Sequence, residues 1–182
     1  MQLNIPNALT LFRFILIPFF VVLFYIPCKY ATIMSALVFF IASITDWFDG
    51  FLARRLKQTT EFGSFLDPIV DKVMVVMGLI LVSEYFHVYW VSLPTMIIIS
   101  REIIISAIRQ WIPQINKIDF ILVLWISKIK TTIQMFSLIA LIWHPNIKII
   151  NIGIITLYIA LILTLWSMFL YIKIFQYNLL KR

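Results

Sequence analysis

Four aspartates crowd one short stretch of an otherwise apolar chain. The segment TDWFDGFLARRLKQTTEFGSFLDPIVDK, Thr45 to Lys72, holds five of the eight acidic residues, among them Asp46, Asp49, Asp67 and Asp71. Asp46 and Asp49 are spaced i, i+3, with Ala53 four positions on, so a helix carries all three on one side. Asp67 and Asp71 are spaced i, i+4, again one side of a helix. The basic and polar residues between the pairs, with Gly63, read as a turn that lets the pairs face each other. Four such carboxylates repel one another, and bound divalent cations relieve the repulsion. Hard cations such as Mg2+ or Mn2+ take oxygen ligands and commonly partner phosphate groups. Two metals about 4 Å apart could clamp a diphosphate and stabilise both the entering and the leaving oxygen. Asp67-Pro68 also has the form of a helix N-cap followed by proline at the first helical position, which does not exclude ligation. Gly50 and Gly63 read either as packing or turn glycines or as room for a flat base beside the metals.

The setting for these carboxylates is lipid. The chain has 182 residues, of which 63% are hydrophobic and 13% charged, with a mean hydropathy of +1.02. Soluble domains carry about a quarter charged residues, and a soluble core could not hide this much apolar surface. One cysteine, Cys28, excludes a disulfide framework or a cysteine-rich metal site and reads as a small apolar residue near an interface. The amino terminus lacks a basic lead-in and "YIP" before Cys28 lacks small residues, so the first apolar stretch is expected to be retained as an anchor. The net charge of +7 sits mostly at the ends of apolar runs, which suits membrane topology and anionic headgroups rather than nucleic acid. There is no linker, repeat or low-complexity tract, so residues 1–182 read as a single domain.

A spanning helix needs about 20 mostly apolar residues. Such stretches run from about Ala8 to Ile26, Ala31 to Leu52, Phe65 to Val82, Val88 to Ile108, Phe120 to Trp143 and Ile149 to Tyr171. An all-α membrane protein of six transmembrane helices is predicted. The fifth contains Lys128 and Lys130, so either its helix begins near Ser127, with FILVLWI along the interface, or the lysines face protein. The side of the amino terminus receives Arg54, Arg55, Lys57, Arg109, Lys117, Lys173, Lys181 and Arg182; the other receives only Lys29, Lys148 and Glu84. By the positive-inside tendency both termini and the aspartates face the cytoplasm, placing a cytoplasm-facing active-site cavity at one membrane edge. His87 and His144 fall in outer loops and read as solvated, Glu61 as a loop charge, and the tryptophans as an aromatic belt.

The pattern Asp46-x2-Asp49-Gly50-x2-Ala53-Arg54-x8-Gly63-x3-Asp67-x3-Asp71 resembles the full signature of the CDP-alcohol phosphotransferase family, with eight residues at fixed spacing. IPNALTLFR, SREIIISAIR and SKIKTT are similar to its bacterial phosphatidylglycerophosphate synthase branch, extending the resemblance from Ile5 to about Thr132. Ser100 and Ser127 stand where alanine and glycine are more usual, and both are small. The resemblance implies that the four aspartates bind two divalent cations, Mg2+ or Mn2+, that hold the diphosphate of CDP-diacylglycerol. It implies Asp71 as general base, Gly50, Ala53 and Gly63 lining the nucleotide pocket, and Arg54, with Asn7 and Arg13, on the CDP-diacylglycerol side. The implied reaction is attack by sn-glycerol 3-phosphate on the lipid-bearing phosphorus in a bacterial inner membrane, by a homodimer.

A phosphorylated acceptor needs cations of its own. Arg101, Arg109, Lys128 and Lys130 are the candidates. The alternative for Arg101 and Glu102 is a buried ion pair across helices, and for the lysines and Arg13 a snorkelling anchor. Other acceptors, inositol phosphate or phosphatidylglycerol, would leave the aspartate site unchanged. A divalent-cation channel or carrier is a third reading, but it calls for acidic groups near mid-membrane with access to both faces.

Overall fold

The computed structural model describes residues 5–56, 61–111 and 117–180, and all of them outside short connections are helical. The six helices are α1 (Ile5–Tyr25), α2 (Ala31–Leu56), α3 (Glu61–Phe86), α4 (Tyr89–Trp111), α5 (Lys117–Trp143) and α6 (Ile147–Leu180). Among the described residues, the windows Ala8–Tyr25, Tyr89–Ala107 and Ile147–Lys173 are long and apolar enough to cross a membrane, and α2 has a shorter apolar stretch, Ala31–Thr45. The bundle is apolar outward: Phe14, Ile15 and Phe19 on α1 and Ile155, Ile162 and Phe169 on α6 are all more than half exposed. The buried polar residues, including Arg13, Arg101, Lys130, Gln134 and Ser167, face inward.

Close backbone packing pairs α1 with α2 and α3, α5 with α2, α3 and α6, and α4 with α3 and α6. The helices therefore form a ring in the order α1, α2, α5, α6, α4, α3, which the α3–α5 contact divides into two compartments. The first, between α1, α2, α3 and α5, is filled with hydrocarbon except where Thr10 and Arg13 of α1 meet Asp67 and Asp71 of α3. Phe20 and Phe39 meet with ring centroids 5.5 Å apart, and Leu79, Leu138 and Val70 complete this core. Gly78 permits the approach, because a Cβ there would lie 3.0 Å from the Phe39 ring. The second, the polar compartment between α3, α4, α5 and α6, is apolar where Val91, Ile98, Ile142 and Leu157 meet and polar where Arg101, Glu102, Lys130 and Gln134 do.

Several local expectations are corrected. Gly63 lies in helix rather than in a turn, and Asp67-Pro68 is not a helix start: α3 begins at Glu61 and runs through Pro68. Asp67 instead accepts a bond from Thr10 Oγ1 on α1, so its side chain joins two helices rather than capping one. The fifth apolar stretch is a single helix from Lys117 rather than one beginning near Ser127, and its lysines divide: Lys130 is buried, facing protein, and Lys128 is exposed. His87 and His144 directly follow α3 and α5 with φ of 48° and 31°. Their amides bond back to Ser83 and Ala140 carbonyls, ending the helices in the left-handed conformation. His87 is exposed as expected, but the His144 ring is half-buried, its centroid 4.3 Å from that of Tyr85.

The tightest helix pair is α5–α6, where Gly153 lets the backbones approach and Ser137 Oγ donates to the Gly153 carbonyl at 2.7 Å. A Cβ at position 153 would stand 2.8 Å from Leu141 Cγ and Cδ2. Small residues serve this purpose in membrane bundles, where packing rather than hydrophobicity joins helices. Gly153→Val is expected to destabilise the protein by roughly 1–3 kcal/mol through overpacking. Thermal unfolding in detergent should show a lower midpoint, with a smaller drop for Gly153→Ala; an unchanged midpoint for both would mean that the helices are not held this closely.

Candidate active site

The polar compartment contains a cavity of about 250 Å³ lined by α3, α4 and α5. From α3 come Pro68, Asp71, Lys72 and Val75; from α4 come Arg101, Glu102, Ile105 and Ser106. Helix α5 contributes Ser127, Lys130, Thr131, Gln134 and Met135. Each set follows helical periodicity, one stripe per helix. The wall thus carries three cations, Lys72, Arg101 and Lys130, against two carboxylates, Asp71 and Glu102. An anion is the ligand this imbalance favours.

Glu102 organises the cationic side. Its carboxylate takes a charge-assisted bond from Lys130 Nζ and lies 3.3 Å from Arg101 Nη1. Arg101 Nη2 also donates to Ser167 Oγ on α6 at 2.6 Å. Lys130 is 1% exposed and Arg101 is buried, so neither reaches bulk water. The ion pair anticipated as a structural alternative is therefore present, and it lies in the cavity wall itself. Lys72 Nζ donates to Ser106 Oγ, joining α3 to α4.

Helix α1 serves the aspartate side. Arg13, 1% exposed, forms an ion pair with Asp71, whose side chain is 34% exposed. Asp67 and Asp71 are thus each tied to α1, by Thr10 and Arg13, three residues apart there and one turn apart on α3. A carboxylate has two oxygens and about four lone-pair sites, so one bond from Arg13 leaves acceptor capacity for a metal or a proton.

The structure thus brings together Arg13, Asp71, Arg101 and Lys130, with Asp67 adjoining. Gly63 is buried on α3. Lys128 is exposed and does not line the cavity, because two positions along a helix turn a side chain about 200° away from Lys130. The side chains of Asn7, Asp46, Asp49, Ala53, Arg54 and Arg109, and the surroundings of Gly50, lie outside the described residues. The backbone places Asp46 one turn beyond Ser43 on α2, and Ser43 Oγ is 3.6 Å from Sδ of Met135 in the cavity wall. Among the described residues no three His, Cys, Asp or Glu side chains converge on one point. The donor types fit hard cations nonetheless: Asp67 and Asp71 are half-buried carboxylates, one turn apart and held in place by α1.

Sequence reasoning missed Thr10, Lys72, Ser106 and Gln134. Thr10 stands three residues before Arg13, and Gln134 four after Lys130, so helical spacing from the charged residues was the available signal. Lys72 directly follows Asp71, at the end of the acidic stretch. Ser106 stands four after Glu102 within SREIIISAIR, so the same spacing pointed to it.

An inward-polar six-helix bundle with aspartates beside an anion-favouring cavity describes a membrane phosphotransfer site. The model of the CDP-alcohol phosphatidyltransferase family matches residues 3–166, and the chain belongs to that family. Proteins called CDP-diacylglycerol–glycerol-3-phosphate 3-phosphatidyltransferase are similar to it over their full length and its own. Those of Sodalis glossinidius and Pectobacterium atrosepticum are each 55% identical over 181 residues, and that of Yersinia enterocolitica is 54% identical over 181 residues.

Removing one partner of a buried ion pair is more damaging than removing both. Glu102→Leu takes the carboxylate from the buried Lys130 ammonium and is expected to cost about 3–5 kcal/mol of stability. Thermal unfolding should show part of that loss recovered in Glu102→Leu/Lys130→Met. If the double variant is no more stable than Glu102→Leu alone, the pair does not hold α4 to α5.

Proposed function

We propose that the chain transfers the phosphatidyl group of CDP-diacylglycerol to sn-glycerol 3-phosphate, giving phosphatidylglycerol phosphate and CMP in phospholipid biosynthesis. The observation that carries this reading is one cavity with Asp71 on the α3 wall and Arg101 and Lys130 on the α4 and α5 walls. A carboxylate that can take a proton then faces a place for the acceptor's phosphate. The names of the full-length relatives agree.

The oxygen of the acceptor's 1-hydroxyl attacks the phosphorus that carries diacylglycerol. The bond from that phosphorus to the CMP oxygen breaks, and CMP leaves with the bonding pair. The hydroxyl proton passes to Asp71, whose orientation Arg13 maintains through the ion pair. Asp46, Asp49, Asp67 and Asp71 would hold two divalent cations, Mg2+ or Mn2+, which when bound supply positive charge to the diphosphate. Asn7, Gly50, Ala53, Arg54 and Gly63 are assigned to CDP-diacylglycerol, and Arg13, buried against Asp71, acts through that carboxylate. Arg101 and Lys130 hold the acceptor phosphate, with Arg109 a further candidate; Lys128, exposed and outside the cavity wall, is left out.

The same reading makes all six helices membrane-crossing in a bacterial inner membrane, with both termini and the cavity mouth cytoplasmic and the enzyme a homodimer. Helices α3 and α5, of 26 and 27 residues, are about 39 and 40 Å long at 1.5 Å per residue, ample for the hydrocarbon. Their charges lower their hydropathy, but Asp71, Lys72 and Lys130 line the cavity rather than face lipid.

Detergent-solubilised protein with CDP-diacylglycerol and Mg2+ should release CMP with glycerol 3-phosphate and not with inositol phosphate, serine or phosphatidylglycerol. Chelation and Asp71→Asn should each abolish release. Release with another acceptor alone would overturn the acceptor assignment, and no release from folded protein would overturn the transferase reading. Separately, Arg101→Ala should raise KM for glycerol 3-phosphate by more than about tenfold, as expected for a lost charged hydrogen bond, with KM for CDP-diacylglycerol nearly unchanged. Equal rises in both would assign Arg101 to the frame of the site rather than to the acceptor.

A further inference from the structure

Among the cavity residues that this chemistry leaves unused, Gln134 is buried with an unpartnered polar atom. It lies on α5 four residues beyond Lys130, on the same stripe, and lines the cavity. It is 2% exposed, and its side-chain Nε2 finds no hydrogen-bond acceptor among the described residues. A buried N–H without an acceptor is costly, and native interiors rarely leave one unpaired. A polar side chain kept in this state at a cavity wall is suited to a ligand that brings its own acceptor.

The arrangement says which acceptor. Arg101 and Lys130 are charged and suit the phosphate; Asp71, on the α3 wall, suits the primary hydroxyl that loses its proton. A carboxamide is neutral, cannot take that proton and adds no charge, so it suits a hydroxyl that is recognised but does not react. Four residues of helix put Gln134 about 6 Å along α5 from Lys130, a separation that a three-carbon phosphate and one hydrogen bond can cover.

We infer that the Gln134 carboxamide is a specificity determinant for the acceptor, its Nε2 donating to the secondary hydroxyl of a phosphorylated three-carbon polyol. The assignment rests on the acceptor reading above. Three walls then contact three different groups of the acceptor, the minimum for distinguishing its stereochemistry as well as its hydroxyl pattern.

The test compares glycerol 3-phosphate with 3-hydroxypropyl phosphate, which lacks only the secondary hydroxyl, by CMP release from the intact enzyme in detergent. The wild type should prefer glycerol 3-phosphate in kcat/KM by about tenfold or more, the worth of a buried donor left unpaired by the wrong acceptor. Gln134→Met fills a similar volume without the donor and should bring the ratio close to one, with KM for CDP-diacylglycerol unchanged. If Gln134→Met does not purify folded, Gln134→Asn, which withdraws the amide by one methylene, reads the same ratio. A variant slowed equally with both acceptors, its ratio still that of the wild type, overturns the assignment and makes Gln134 structural. A wild type that does not distinguish the two acceptors overturns it as well, while leaving the transferase reading intact. A wild type that uses neither acceptor overturns both.

Discussion

The contact between Glu102 and Lys130 is the one on which the interior depends. A charge placed in hydrocarbon costs roughly 2.5–3.5 kcal/mol on insertion scales, so a bundle this apolar keeps a lysine only by giving it a carboxylate. Close packing joins α4 to α3 and α6, and α5 to α2, α3 and α6. The ion pair spans the remaining interval between α4 and α5 with two long side chains. It holds the helices at a distance that leaves a cavity, where apolar residues meeting directly would have closed it. Arg101 extends the arrangement to α6 through Ser167.

The division of the ring follows from this. Helices α3 and α5 belong to both compartments and touch each other between them. On the apolar side, Phe39, Gly78 and Leu138 set their separation by van der Waals contact. On the polar side the same two helices present Asp71 and Lys130 to the cavity. A rigid hydrocarbon core is therefore the gauge that positions the chemistry, and the site is built on helices rather than loops. Interiors packed to crystal-like density transmit such constraints well.

Helix α1 plays a quieter part. Thr10 and Arg13 reach Asp67 and Asp71 from behind, so the aspartates are oriented before any ligand arrives. Preorganisation of this kind lowers the reorganisation needed during reaction, which is where electrostatic catalysis gains most. Arg13, expected from sequence to meet the diphosphate, is buried against the very carboxylate proposed as base.

The sequence by itself determined the helical class, the run of apolar stretches and the aspartate signature, because spacing along a helix and hydrophobicity are local properties. It also singled out Arg101 and Lys130, since charges inside apolar runs stand out without any coordinates. It misjudged Gly63 and Pro68, whose turn and cap preferences yield to a helix that begins at Glu61. Only the tertiary structure decided that Lys130 faces inward and Lys128 outward, that Glu102 is their discriminating partner, and that Arg13 serves Asp71. It alone showed that Gln134, Lys72 and Ser106 belong to the cavity. Those outcomes depend on which helices become neighbours in the ring, and the pairing of α3 with α5 across it is a contact between residues far apart in the chain that no local pattern encodes.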